Sequence, residues 1–191
     1  MPRLYLVRHG QAAAGFADHA DPGLNTLGHA QAQQTARQLS SLPPMQIISS
    51  PLARARETAL PLLTLWHGDA APPLLIDARV SEIATEHSHA AQGDLSRRAE
   101  WLASIMGMRW SELGAPLQQW ARGVLLSLLE QPADAVIFSH FIAINVAVGW
   151  AIGDDRVVHF RPANASVSIL DTDGWHLRLI EPGAEGDTKV N

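Results

Sequence analysis

Short apolar segments alternate with longer helical segments along almost the whole chain, and this alternation limits the fold more than any other feature. Apolar runs bounded by polar or turn-forming residues predict strands at 4–7, 46–50, 74–76, 135–139, 167–171 and 175–180. The segments predicted to be helical are 27–39, 52–65, 95–106, 113–130 and 142–152. Strands separated by helices pair in parallel and are covered by those helices on both faces. The expected fold class is therefore α/β, a three-layer α/β/α sandwich with a mostly parallel central sheet.

Turn-forming and capping residues indicate where several of these elements begin. Thr26 is a candidate N-cap for the helix at 27–39. Pro51 stands at the favoured first position of the next helix, at 52–65. Asp173-Gly174 predicts a hairpin between the last two strands.

One domain over residues 1–182 is predicted. A chain of 191 residues is within the size range of a single hydrophobic core, and 47% of the residues are hydrophobic. No repeat or linker divides the chain. From 183 to 191 the composition changes to mainly Gly, Glu, Asp and Thr, which predicts a flexible tail.

Composition excludes several classes of function. The chain has no cysteine, which excludes disulfide scaffolds, Cys-ligated zinc and thiol nucleophiles. A formal net charge of −5 without a basic block argues against nucleic acid as a partner. No apolar stretch approaches the roughly 18 residues of a membrane span. The apolar run at the N-terminus is too short for a signal peptide, so the expected location is the cytoplasm.

Three polar clusters stand directly after predicted strands. They are Arg8-His9-Gly10 after the first strand, Ser49-Ser50-Pro51 with Arg54 after the second, and Ser139-His140 after the strand at 135–139. Because the carboxyl ends of parallel strands meet at one edge of a sheet, these clusters are expected to converge there. Two arginines and two helix N-termini at such an edge favour a phosphate group.

A histidine within a phosphate pocket has a specific chemical use. Neutral imidazole can attack phosphorus and form a phosphohistidine, which water then hydrolyses. Neighbouring guanidinium groups lower the pKa of the imidazole and stabilise the phosphoryl oxygens in the transition state. Gly10, which lacks a Cβ, would let the backbone approach the phosphate closely.

Residues 6–10, Leu-Val-Arg-His-Gly, resemble the signature of the histidine phosphatase superfamily, which includes the cofactor-dependent phosphoglycerate mutases. The resemblance covers most of the chain. Residues 21–28 with Gln31-Ala32, residues 49–59 and Ser139-His140 are similar to further segments of that family, in the same order.

The resemblance implies a role for each matched residue. His9 would be the nucleophile. The phosphate would be bound by Arg8, Arg54, His140 and Gly10. His140 would also take part in catalysis. Glu82, within 79–83, stands where many members carry the proton donor, and Glu86 is the next candidate. The implied activity is hydrolysis of a phosphomonoester, on a small molecule or a phosphoprotein, with no metal ion and no cofactor.

Two departures from the family pattern bear on which substrate is bound, more than on the basic chemistry. Phe141 follows the second histidine, where the family usually has Gly. The stretch 12–15 is small and apolar, where many members place Asn, Ser or Thr near the phosphate.

Several alternatives remain open at this point. Within the family they are a mutase and a phosphohistidine phosphatase. A mutase would need further anion-binding groups, and in 84–113 only Arg97, Arg98 and Arg109 offer them. Outside catalysis, a module that merely binds a phosphorylated ligand is possible. His87 and His89, with Glu86 and Asp94 nearby, could form a metal site. Ser139 lacks the Gly-x-Ser-x-Gly pattern of a serine hydrolase.

Overall fold

The computed structural model describes residues 1–14, 21–68, 73–83 and 95–186. In these ranges the strands are β1 (Arg3–Arg8), β2 (Gln46–Ser49), β3 (Leu75–Ile76), β4 (Ala135–Ser139), β5 (Val167–Thr172) and β6 (Leu177–Glu181). The α-helices are α1 (Thr26–Leu39), α2 (Ala53–His67), α3 (Leu95–Met106), α4 (Ala115–Leu129) and α5 (Phe141–Ile152). Short 3-10 turns span Ala78–Val80 and Trp110–Glu112. Every predicted boundary lies within two residues of the observed one.

The strands form one sheet in the order β3-β2-β4-β1-β5-β6. The first four are mutually parallel, and β5 and β6 are antiparallel to their neighbours. Arg8 is level with Ser139, and Ser49 is level with Phe138, so β1 and β4 end at the same height and β2 ends one residue earlier. The predicted α/β class and mostly parallel sheet are confirmed.

Alternate residues of the central strands face two separate hydrophobic cores. Leu4, Leu6 and Ile137 pack with residues of α4 and α5, whereas Val7 and Phe138 pack with residues of α1 and α2. A strand's side chains point alternately to opposite faces, so a sheet buried on both sides needs apolar residues at every position. A third cluster joins α3, α4 and α5. The sheet is therefore the middle layer of a three-layer sandwich.

Two predicted helix starts are wrong. In each helix, a side chain other than the predicted one accepts a backbone N–H at the N-terminus. Asn25, not Thr26, is the N-cap of α1, and its side chain accepts the N–H of Gly28 at 2.8 Å. Helix α2 begins at Ala53 rather than at Pro51-Leu52. The N–H of Ala53 donates instead to Oδ1 of Asp21, 2.8 Å away, from a different part of the chain.

The predicted hairpin is confirmed. Asp173 Oδ1 accepts the N–H groups of Trp175 and His176, which lengthens the turn and delays β6 to Leu177. Gly174 has a φ of 89°, a conformation that favours glycine.

The segment predicted to be a flexible tail begins with residues that are hydrogen-bonded. The carbonyl of Ala184 accepts the N–H of Ala163 at 2.8 Å, and the N–H of Gly186 donates to Arg161 at 3.1 Å. Residues 187–191 lie outside the described ranges. Among the described helices, none has the length and apolar character to cross a membrane.

Gly28 gives a direct test of how α1 packs against the loop after β1. A Cβ at Gly28 would overlap the carbonyl oxygen of Gln11, whereas a Cβ at Gly123 in α4 would meet nothing within 4 Å. We predict that Gly28→Ala lowers the free energy of unfolding by about 1–3 kcal/mol. Gly123→Ala should be neutral or stabilising, since alanine favours helix by up to about 1 kcal/mol over glycine. Urea denaturation of both variants measures this, and equal effects would contradict the packing described.

Candidate active site

The three polar clusters converge at one edge of the sheet, as predicted. The N–H of His9 donates to the carbonyl of Ser139 at 3.0 Å, and the N–H of Ser50 donates to that of Phe138 at 3.0 Å. These bonds continue the pairing of the parallel strands one residue past their ends. The rings of His9 and His140 consequently lie 5.1 Å apart, centroid to centroid, and both residues are fully buried.

Hydrogen bonds fix the tautomer of His9. Its Nδ1 lies 2.8 Å from the carbonyl oxygen of Gly10, which can only accept, so Nδ1 carries the hydrogen. Its Nε2 accepts the Nε–H of Arg54 at 3.2 Å. The lone pair of the neutral ring is therefore on Nε2, within the pocket lined by Arg54.

The electrostatic surroundings keep both histidines neutral. Burial holds the pKa of His9 well below 6.5, and the charges of Arg54 and Arg8 lower it further. Burial also holds the pKa of His140 well below 6.5, with additional lowering from Arg54, His9 and Arg8.

Arg8 and Arg54 place two guanidinium groups in the interior, 0% and 1% exposed. Burial lowers the pKa of Arg8 to about 10, so the side chain remains protonated at neutral pH. Its NH1 donates to the carbonyl of Pro162 at 2.7 Å. Arg54, in the first turn of α2, lies 3.8 Å from a carboxylate oxygen of Asp21. Each buried charge costs several kcal/mol unless it is compensated, and a phosphate dianion would compensate both.

His140 is the N-cap residue of α5, and serine side chains hold its ring. Its Nε2 lies 2.8 Å from Oγ of Ser50, which is 3.3 Å from Oγ of Ser81. Nδ1 of His140 is buried and has no hydrogen-bond partner in the part of the chain that the structure describes. The sequence placed Ser50 in the right cluster but gave no sign of this contact, which joins residues 90 positions apart.

Glu82 lies where α5 begins, and it is only 4% exposed. Its carboxylate accepts the N–H of Ile83 at 3.0 Å and that of Ile142 at 3.3 Å. Burial raises the pKa of Glu82, while those N–H groups and the charges of Arg54 and Arg8 oppose the rise. The net direction is upward, so the Glu82 carboxyl group holds a proton more readily than an exposed glutamate does. Glu86 lies outside the described residues.

Packing gives Gly10 a further reason to be glycine, and its close approach to a phosphate stays a prediction. A Cβ at Gly10 would lie 2.6 Å from the carbonyl oxygen of Gly28, so glycine is needed for packing against α1. Its N–H donates to Oγ1 of Thr58 at 3.0 Å and is therefore already bonded. The carbonyl of Gly10, which orients His9, is its contribution to the site.

The helix N-termini contribute less than predicted, because side chains already bind several of their N–H groups. Glu82 accepts that of Ile142 in α5, and Asp21 accepts that of Ala53 in α2. Ser50 accepts the N–H of Leu52 at 3.2 Å. The positive charge of the pocket comes chiefly from the two guanidinium groups.

The loop before β5 supports the end of β1 through a strained residue. Ala165 has a φ of 58°, which costs a residue with a side chain about 1–2 kcal/mol. Its N–H donates to the carbonyl of Arg8 at 3.0 Å, and its own carbonyl accepts the hydroxyl of Thr35 at 2.7 Å. Asn164 donates to the carbonyl of His9 at 3.0 Å. These bonds fix the backbone on which His9 is carried.

Phe141 is fully buried, and its ring contacts two arginines. The guanidinium carbon of Arg8 lies 5.1 Å from the ring centroid, and that of Arg161 lies 5.8 Å away. Sequence reasoning missed this contact of Arg161, since nothing in the local pattern around Arg161-Pro162 predicts it.

Two other predicted groups of residues are not brought to the pocket by any described contact. Arg109 pairs with Arg156 through a backbone bridge, and the side chains of Arg97 and Arg98 are outside the described set. The candidate metal site at Glu86, His87, His89 and Asp94 also lies outside the described residues. Within those that are described, no cluster of three or more His, Asp or Glu could hold a metal ion.

Comparison with known proteins gives relatives along nearly the whole chain. The sequence profile of the histidine phosphatase superfamily (branch 1) matches residues 4–183. The 5''-phosphoribostamycin phosphatase of Niallia circulans is 26% identical over 195 residues, 90% of each chain. The glucosyl-3-phosphoglycerate phosphatase of Mycolicibacterium vanbaalenii is 38% identical over 85 residues, which cover 42% of this chain and 36% of the relative.

Solved structures share the fold at lower identity. A mycobacterial glucosyl-3-phosphoglycerate phosphatase in complex with VO3 superposes with a TM-score of 0.70 at 23% identity, covering 97% of this chain and all of the other. Phosphoserine phosphatase of Entamoeba histolytica superposes with a TM-score of 0.68 at 20% identity, covering 96% and 98%. The profile match over residues 4–183 places this chain in the histidine phosphatase superfamily, branch 1, whose members hydrolyse phosphate esters through a phosphohistidine and without a metal ion.

Proposed function

We propose that this protein hydrolyses the phosphomonoester of a small molecule and that Nε2 of His9 is the nucleophile. The observation that carries the assignment is the pair of hydrogen bonds on His9, from Nδ1–H to Gly10 and from Arg54 to Nε2. Together they direct a neutral, nucleophilic nitrogen into a pocket with two buried positive charges. Relatives named as phosphatases of 5''-phosphoribostamycin and of glucosyl-3-phosphoglycerate support a small-molecule substrate.

The first step transfers the phosphoryl group to the enzyme. Nε2 attacks phosphorus, the N–P bond forms and the bond from phosphorus to the ester oxygen breaks. The carboxyl group of Glu82 gives its proton to the departing oxygen, which leaves as an alcohol. Arg8 and Arg54 stabilise the charge on the phosphoryl oxygens, with His140 beside them. The Gly10 carbonyl stabilises the Nδ1–H as the ring becomes more positive on phosphorylation.

The second step returns the enzyme to its starting state. Water attacks phosphorus, and the carboxylate of Glu82 takes the proton that water loses. The N–P bond breaks, inorganic phosphate forms, and the lone pair returns to Nε2.

The raised pKa of Glu82 favours an ester substrate over a phosphohistidine. An alkoxide is a poor leaving group and needs protonation, whereas the imidazole that leaves a phosphohistidine does not. A buried carboxyl group whose pKa is raised by burial therefore has a use as a proton donor in ester hydrolysis. It would have no comparable use in a module that only binds phosphate.

The protonation state of His9 gives the first prediction. At pH 5.5 a histidine with the ordinary pKa of about 6.5 would be about nine-tenths protonated. The pKa of His9 and of His140 is lowered, so both should still give the ring-nitrogen NMR signals of neutral imidazole, with His9 as the Nδ1–H tautomer. Spectra of His9→Gln and His140→Gln assign the signals. Signals that move to the protonated pattern with a midpoint near pH 6.5 would contradict the described environment.

The nucleophile gives the second prediction. His9→Ala should lower turnover of p-nitrophenyl phosphate by several decades, on the order of the loss seen when other nucleophiles are removed. A rapid quench in alkaline detergent should trap base-stable, acid-labile phosphate on the wild type and on the control His176→Ala, whose ring is exposed in the β5–β6 turn. Phosphate on a serine, or a His9→Ala variant with normal turnover, would overturn the assignment.

The proton donor gives the third prediction. Glu82→Gln keeps the size of the side chain and removes the transferable proton, so kcat/KM should fall far more for an alkyl phosphate than for p-nitrophenyl phosphate. The nitrophenolate leaving group needs little protonation. Glu181→Gln, at the exposed end of β6, is the matched control. An equal loss on both substrates would make Glu82 a positioning residue instead.

A further inference from the structure

Arg161 is a third cation close to the pocket, and it differs from the other two because it is exposed to solvent. Its guanidinium carbon lies 5.8 Å from the centroid of Phe141, and that of Arg8 lies 5.1 Å from the same centroid. The two guanidinium carbons are therefore at most about 11 Å apart, the sum of those distances. A single small molecule can span this separation.

The backbone around Arg161 is fixed on both sides. The carbonyl of Pro162 accepts the NH1 hydrogen of Arg8 at 2.7 Å. The carbonyl of Arg161 accepts the N–H of Gly186 at 3.1 Å, and the N–H of Ala163 donates to Ala184 at 2.8 Å. The ring of Phe141 supports the guanidinium group itself through a cation–π contact. Arg161 is thus held at a set position relative to the phosphate-binding Arg8.

Among the described residues, Arg161 has no carboxylate as a counter-charge. No carboxylate in the described part of the chain forms an ion pair with it, whereas Arg54 has Asp21 at 3.8 Å. A phosphomonoester dianion compensates Arg8 and Arg54. The charge of Arg161 also lowers the pKa of Arg8, which shows that the two repel each other. A second negative group at Arg161 would remove this repulsion.

We propose that Arg161 is a specificity-determining residue that binds a second anionic group of the substrate, a carboxylate or a second phosphate. This proposal rests on the proposed function and narrows its substrate class to phosphomonoesters that carry a further negative charge within a few carbons of the ester. Phe141, which stands where the family usually has glycine, provides the surface on which Arg161 lies.

Two matched pairs of substrates test the proposal. 3-Phosphoglycerate and glycerol 3-phosphate share the phosphorylated carbon and differ in whether the far carbon is a carboxylate or an alcohol. 6-Phosphogluconate and sorbitol 6-phosphate make the same comparison over six carbons. For the wild type, kcat/KM should favour the carboxylate member of at least one pair by about ten- to hundredfold, the range expected for a hydrogen-bonded charge pair.

Variants assign the preference to Arg161. Arg161→Gln should abolish it and leave kcat/KM for p-nitrophenyl phosphate within about twofold, and Arg161→Lys should keep part of it. The control is Arg37→Gln, which removes the same charge from an exposed position. Arg37 lies in the last turn of α1, about 13 Å along the helix from Gly28, which packs against Gly10 beside His9. This variant should keep the full preference.

The possible failures separate this proposal from the proposed function. The wild type could turn over p-nitrophenyl phosphate but show no preference for the carboxylate member of either pair. It could also show a preference that survives Arg161→Gln. Either result overturns the role of Arg161 alone. A loss shared equally by all substrates in Arg161→Gln also overturns it, since the residue would then act on the phosphoryl group. No turnover of any substrate by the wild type overturns the proposed function. In that case, calorimetric binding of the same pairs to the wild type and Arg161→Gln decides whether Arg161 binds the second anion.

Discussion

Burial of two guanidinium groups beneath the edge of the sheet is the constraint on which the rest of the site depends. Arg8 and Arg54 cannot lose their protons at neutral pH, so their charges must be compensated by hydrogen bonds and by whatever anion enters. The same charges disfavour imidazolium at His9 and His140. One arrangement is therefore suited to bind a phosphate and keeps the proposed nucleophile, His9, unprotonated.

The sheet makes this arrangement possible through its register. Because β1, β4 and β2 end within one residue of one another in register, a residue placed one position after each strand lies close to its counterparts without any long loop. The antiparallel β5 then brings the loop before it against the end of β1, where Ala165 and Asn164 bond to the backbone of Arg8 and His9. Rigid elements, rather than flexible connections, thus set the position of His9.

Sequence reasoning succeeded where a residue's place follows from strand order. Arg8, His9 and His140 lie within one residue of strand ends, and Arg54 lies in the first turn of a helix, so periodicity and topology bring them together. It failed where distant segments meet. Neither the Asp21 cap on α2 nor the Arg161–Phe141 contact has a local pattern. It also missed the packing of Gly10 against Gly28, because the two glycines belong to different elements.

The hydrogen bonds between residues 184–186 and the Arg161–Ala163 segment have a consequence for synthesis of the protein. Pro162, whose carbonyl binds Arg8, lies between Arg161 and Ala163, which bond to chain made later. On the ribosome, β1 emerges long before residues 161–163 and before residues 184–186, which bond to them. Domains fold as units once their chain is available, so the site stays incomplete until residues 184–186 have emerged.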